Sequence, residues 1–255
     1  MALSKMHALV ALEAFLENGK SLEEWGQLVP YILLPDAMRC FDFGIPNNRV
    51  LTHFEVNTKS YRPSGIKFPT KDEIAVLDSE IIARLPKVIS GDYSYQVAIG
   101  DGTSIDQFLY MNHPDNTDVY AGCLIHLLQD MAYDIHIRGA IDCGSRYRNG
   151  GKFFFGGEEY DAKSVRKLIS DIEEFEFRLL QECLDEEFGI VADKAFFEEY
   201  VKKAIYGAYC TKMAETTWKY INFRDDVLPE YPKSLALQGV EQMKRATKSA
   251  IIGHF

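Results

Sequence analysis

The sequence is short of cysteine, and what it has is not placed for pairing. Cys40, Cys123, Cys143, Cys183 and Cys210 are odd in number and include no C-x-x-C pair. That argues against a disulfide framework or zinc knuckle as the organising device, and predicts reduced thiols in a cytoplasmic protein. No run of about 18 apolar residues occurs, so no membrane-spanning helix is expected. The opening Met-Ala-Leu-Ser-Lys-Met-His carries no secretory pattern. Positive charge is also in deficit. Lys and Arg number 28 against 38 acids, a formal net charge of −10. Such a balance argues against a dominant polyphosphate-binding face, so no long nucleic acid is expected as a partner. Apolar residues are plentiful. They make up 47% of the 255 residues, enough for one domain over 1–255 with a sizeable core.

Helical periodicity dominates the chain. Apolar residues recur at helical spacing over 6–16, and Asn18-Gly19 is the stop. Ser21 and Glu24 form a capping box for a helix starting near Leu22. Pro30 and Pro35 are expected to limit that helix or break it into short turns, with Asp36 as an N-cap beyond them. The stretch 41–69 reads as a long loop holding His53. A helix over 71–85 capped by Thr70, a short strand at 95–99 and a helical turn at 105–111 follow, and His113 reads as structural or exposed. A long apolar-periodic run predicts a buried helix over 119–137. The loop 139–157 holds Arg146 and Arg148 among glycines. It suits contact with a substrate phosphate, with solvated surface as the plain alternative. A hairpin at Phe153, a helix over 162–188 between Asp161 and Gly189, another over 194–223 and a last one from Ser234 to near Ile252 complete the chain, with Pro229 and Pro232 as a hinge. The fold class is all-α: a single compact multi-helix domain with long irregular loops, a metal-ligand region at 5–137 and C-terminal helices at 161–252.

The central helix carries the chemistry. His126 and Asp130 are four residues apart, on one helical face. An imidazole beside a carboxylate is a common ligand pair for zinc or another transition metal, and a hydrogen-bonded core pair is the plain alternative. At about 100° per residue, His126, Asp130 and His136 cover an arc of roughly 120°. That arc suits two neighbouring metal sites better than one.

Four of the six histidines occur with acids in a definite order: His7, then Asp36 after Leu34-Pro35, then His53, then His126-x3-Asp130-x5-His136. In order and spacing these residues resemble the zinc-dependent phospholipase C family, which shares its helical fold with the single-strand-specific zinc nucleases. The resemblance covers roughly residues 5 to 137. It implies that Asp36, His53, His126 and Asp130 hold one zinc. Asp130 would bridge to a second zinc held by His7 and the amino-terminal end, and His136 would belong to a third position. It further implies hydrolysis of a small or lipid-like phosphodiester by a metal-bound hydroxide, with Asp36 as the catalytic residue that accepts or orients the water's proton. Two or three zinc ions, or other divalent metals, are the implied cofactors.

The sequence also departs from the family. The third site is normally completed by His-x3-Glu or His-x3-Asp on a later helix, yet no histidine lies between His136 and His254. That site is therefore altered, filled by carboxylates such as Glu173 or Glu174, or absent. The chain begins Met1-Ala2, where processed family enzymes present a tryptophan, and Asp134 stands where the family often has proline. The competing expectation is a non-catalytic helical metal-binding or interaction module descended from the same fold. The helical phosphohydrolases built on an adjacent His-Asp dipeptide rank lowest, because no such dipeptide occurs.

Overall fold

Six long helices and one hairpin carry most of what the computed structural model describes, namely residues 3–40, 53, 118–140, 153–228 and 231–254. The first helix, α1 (Ser4–Glu17), is buried on every side from Ser4 to Phe15. A helix so enclosed needs partners for its charges. Lys5 pairs with Glu174, and Glu13 pairs with Lys244. These two pairs fix α1 against two later helices.

Helix α2 (Leu22–Ala37) starts at the expected capping box: the Glu24 amide donates to Ser21 Oγ at 3.1 Å and the Ser21 amide to Glu24 Oε2 at 2.7 Å. It differs from expectation in running straight through Pro30 and Pro35. Each proline removes one backbone hydrogen bond. The buried face of Trp25, Leu28, Val29, Ile32 and Leu33 outweighs that loss, and the Tyr209 hydroxyl donates to the Pro30 carbonyl. Asp36 consequently lies in the last turn of α2 rather than at the head of a new helix. A short 3-10 turn, Met38–Cys40, follows.

Helix α3 (Asp118–Ala140) contains the expected central run. It packs along α2 on one side and along the last helix, α6 (Lys233–His254), on another. Contact with α2 is close enough to require glycine. A Cβ on Gly122 would sit 2.3 Å from Tyr31 Cβ and 2.6 Å from the Tyr31 carbonyl carbon. The two backbones that carry most of the candidate ligands are thus held at a fixed separation.

The hairpin pairs Phe153–Phe155 with Glu158–Tyr160 in antiparallel register. Helix α4 (Ala162–Phe188) begins at Asp161, whose carboxylate accepts from the Lys163 and Ser164 amides, and ends at Gly189 with φ +67°. The single helix expected over 194–223 is instead broken. A turn at Lys194–Phe196 passes into a π-helical stretch, Phe197–Lys202, then into Lys203–Ala208. Tyr209 leaves helical geometry, and α5 (Thr211–Tyr220) starts afresh. The break lets the buried Tyr209 ring reach the Pro30 carbonyl, a tertiary demand invisible to local periodicity.

One apolar core runs through all six helices, from Met6 and Ile32 through Ile125, Tyr133, Phe177 and Met213 to Met243. The chain is all-α, as expected. No helix among the described residues is long and apolar enough to cross a membrane. Cys40, Cys123, Cys183 and Cys210 are free thiols. The elements expected at 71–85, 95–99 and 105–111, the loop 41–69 apart from His53, His113, the basic loop with Arg146 and Arg148, and Pro229 lie outside the described residues.

Candidate metal centre

Four segments bring five of the expected ligands together. The first turn of α1 supplies His7, the last turn of α2 supplies Asp36, and α3 supplies His126 and Asp130. His53 enters from the segment between α2 and α3. The three imidazoles are wholly buried, Asp130 nearly so, and Asp36 is 11% exposed at its side chain. Two triads, His7–Asp36–His126 and His53–His126–Asp130, each gather three potential donor atoms within 4.8 Å of one another.

Distances within the second triad and Asp36 suit a small cation. His53 Nε2 is 3.3 Å from His126 Nε2, 3.3 Å from Asp36 Oδ1 and 3.8 Å from Asp130 Oδ2. His126 Nε2 is 3.9 Å from Asp130 Oδ2. A tetrahedral zinc with arms of about 2.0–2.1 Å has ligand–ligand edges of about 3.4 Å, so two edges fit closely and two are wider. Asp130 faces both ways. Its Oδ2 meets His53 and His126, while its Oδ1 lies 3.3 Å from His7 Nε2.

The polar bookkeeping points the same way. His7 Nε2, the nitrogen that faces Asp130, is buried without a hydrogen-bond partner of good geometry. Buried polar atoms are rarely left so, and unsatisfied ones concentrate where an ion or other group belongs. Nitrogen lone pairs and carboxylate oxygens converge here, an electron-rich set that repels itself until a proton or cation enters.

The titrations express that tension. Burial works to raise the Asp36 pKa, but the His53 hydrogen bond and the nearby imidazoles hold it well below the carboxylate range. Asp130 behaves alike: burial opposes, yet His7, with its Nε2 3.3 Å away, holds it low. Burial also pulls His7 down, but Asp130 prevails and raises it. Burial, reinforced by His7, drives His126 well below the usual imidazole range, so His126 stays neutral and ligand-competent. The rings of His7 and His126 stack with centroids 4.0 Å apart. Ser4 Oγ donates to Asp36 Oδ2 at 2.9 Å, which leaves Oδ1 for His53 and for Arg39 at 3.3 Å.

His136 belongs to neither triad. Its Nε2 instead faces Glu176 Oε1 at 3.9 Å, and neither atom has a hydrogen-bond partner. The other Glu176 oxygen accepts from the Tyr133 hydroxyl at 2.7 Å. Gly239 closes over this pair: a Cβ there would lie 2.6 Å from Glu176 Oε1 and 2.9 Å from His136 Cδ2. The carboxylate beside His136 is thus Glu176, not Glu173 or Glu174. Glu174 is taken up by Lys5, whose Nζ lies 2.8 and 2.7 Å from its two oxygens. Arg146 and Arg148 lie outside the described residues.

Sequence reasoning passed over Gln129, which contacts His7 Nδ1 at 2.7 Å. The signal was an amide inside an otherwise apolar helical stretch, directly before Asp130. It also passed over Glu176 and Ser4, whose roles depend on helix packing and leave no local mark. Comparison with protein-family models, curated proteins and solved structures finds no match for this chain.

Proposed function

We propose that the protein is a metal-dependent phosphoester hydrolase acting on a small or lipid-like phosphodiester, with Asp130 shared between two cation positions. One observation carries this reading: the two Asp130 oxygens are divided between His7 on one side and His53 with His126 on the other. A bridging carboxylate offsets the repulsion between two cations, the arrangement used for in-line displacement at phosphorus. The order of ligands, as in the zinc-dependent phospholipase C family, supports zinc as the metal. His53, His126, Asp36 and Asp130 Oδ2 would hold one ion, and His7 with Asp130 Oδ1 would contribute to the other. Ions bound there would lower the pKa of water towards about 7 and neutralise charge on the phosphate oxygens.

The chain's own residues do the rest. Neutral His126 keeps a lone pair directed inward. Asp36 stays ionised across the working range of pH, with one oxygen held by Ser4. It is the more exposed of the two ligand acids, and so is placed to orient water at the rim. Encirclement by α1, α2 and α3 fixes the donors in advance. The reading includes a cytoplasmic setting, and a small substrate in keeping with the net charge of −10.

Asp130→Asn tests it. Asparagine keeps the shape but loses the charge and one strong donor oxygen. A hydrolase of this kind should lose turnover of bis(p-nitrophenyl) phosphate to background while its circular dichroism spectrum is kept. A variant that retains turnover within a few-fold of wild type would refute the reading. A variant that loses only thermal stability, beside a wild type with no turnover, would favour a structural metal site.

A further inference from the structure

Gln129 is fully buried next to the cluster, and its partners dictate which way its amide faces. Thr247 Oγ1 donates its hydrogen to the Met243 carbonyl at 2.9 Å. That oxygen is then left with lone pairs only, so the Gln129 atom facing it at 2.8 Å must be the NH2 group. The same amide lies 3.5 Å from the carbonyl of His7. Gln129 Oε1 must therefore be the atom 2.7 Å from His7 Nδ1. A carbonyl oxygen only accepts, so Nδ1 bears the hydrogen. In its neutral form the imidazole has only that one N–H, and Nε2 is left bare, 3.3 Å from Asp130 Oδ1.

We propose that Gln129, itself oriented by Thr247, is a positioning residue that fixes His7 as the Nδ1–H tautomer and so builds the His7–Asp130 cation position separately from the His53–His126 one. This rests on the metal-centre reading above and deepens it. The chain of hydrogen bonds begins on α6, passes through α3 and ends on α1. It joins three helices far apart in sequence, with separations of 118 and 122 residues. Bare Nε2 opposite a carboxylate is a repulsive pair until a proton or a metal cation lies between them. His126 and His53 have no share in this chain. The two positions therefore respond differently when it is cut.

The experiment uses the full chain, stripped with chelator and titrated with zinc and with cobalt(II) in a calorimeter. Wild type should show two binding events. Gln129→Met, close in shape but unable to accept, should weaken one event about 10–100-fold, as loss of an outer-shell partner typically does, and leave the other within a few-fold. Gln129→Glu keeps the accepting oxygen and should restore the weakened event, which a purely structural role for the amide would not do. Long-range 15N spectra of metal-free protein at alkaline pH read the tautomer directly, and His7 should be Nδ1–H in wild type and in Gln129→Glu. Unchanged affinities in Gln129→Met, or a His7 that is Nε2–H in wild type, would overturn the proposal. A wild type that binds no cation would instead overturn the metal-centre reading, and the tautomer spectrum would still decide the relay.

Discussion

Lys5 and Glu174 form a buried ion pair whose dissection tests how α1 is held. Their side chains are 1% and 2% exposed. Lys5 Nζ lies 2.8 and 2.7 Å from the two Glu174 oxygens, 2.9 Å from the Asn222 carbonyl and 4.0 Å from the Phe177 ring centroid. Changing Glu174 to Leu would leave an ammonium buried with one carbonyl and a ring face. Breaking a buried pair in this way costs about 3–5 kcal/mol. At about 2–4 °C per kcal/mol for a chain of this size, the melting temperature should fall by roughly 6–20 °C. Removing both charges, with Lys5→Met and Glu174→Leu together, should return most of that loss, because apolar replacement of a buried pair is often neutral or stabilising. The lysine supplies a second signature. Burial lowers its pKa, and Glu174 counters that fall. Without Glu174 the folded pKa drops further below the unfolded value, so the deficit of the single variant should shrink as pH rises. Thermal melts and urea titrations of wild type and the two variants from pH 6 to 9 provide the assay. Equal losses in the single and double variants, with no pH trend, would refute the reasoning. His7 is two residues further along the same turn, so the single variant should also bind metal more weakly.

Two glycines should respond with opposite signs. Gly122→Ala forces a methyl into the Tyr31 backbone and should cost about 1–3 kcal/mol or more, whereas Gly26→Ala in α2, with nothing within 4 Å, should gain up to about 1 kcal/mol; urea unfolding checks both. Glu176 supplies a pH dependence. Burial pushes its carboxyl up to about 8 against the opposing Tyr133 hydrogen bond. A raised folded pKa favours the folded state below the unfolded value of about 4.3 and loses that advantage as pH climbs through about 8, by at most about 1.4 kcal/mol per unit. In chelator-treated protein, the stability of Glu176→Gln relative to wild type should therefore rise from pH 5 to 9. A flat difference would show that Glu176 titrates normally.

Among the described residues, local rules revealed most of the helices and their ends. Ser21 with Glu24, Asp161 and Gly189 all cap as their residue types require, because capping involves atoms within one turn. Local rules failed where distant contacts decide. Proline should have ended α2, but burial of its apolar face carries the helix on to Ala37, and that extension places Asp36 beside His53. The tertiary pull on Tyr209 breaks a helix that periodicity had joined. Within the site, the histidines and aspartates stood out by residue type and spacing. Gln129, Thr247 and Glu176 did not, since an amide, a hydroxyl or one more acid acquires meaning only from what packs against it.

The central claim is a cluster of cations bridged by Asp130. Metal content per chain, from elemental analysis of protein purified without chelator or a metal-binding tag, tests it most directly. The account predicts two zinc-like ions per chain in wild type and fewer in Asp130→Asn. A wild-type chain holding at most one ion, even after zinc, manganese or iron is supplied, would contradict it.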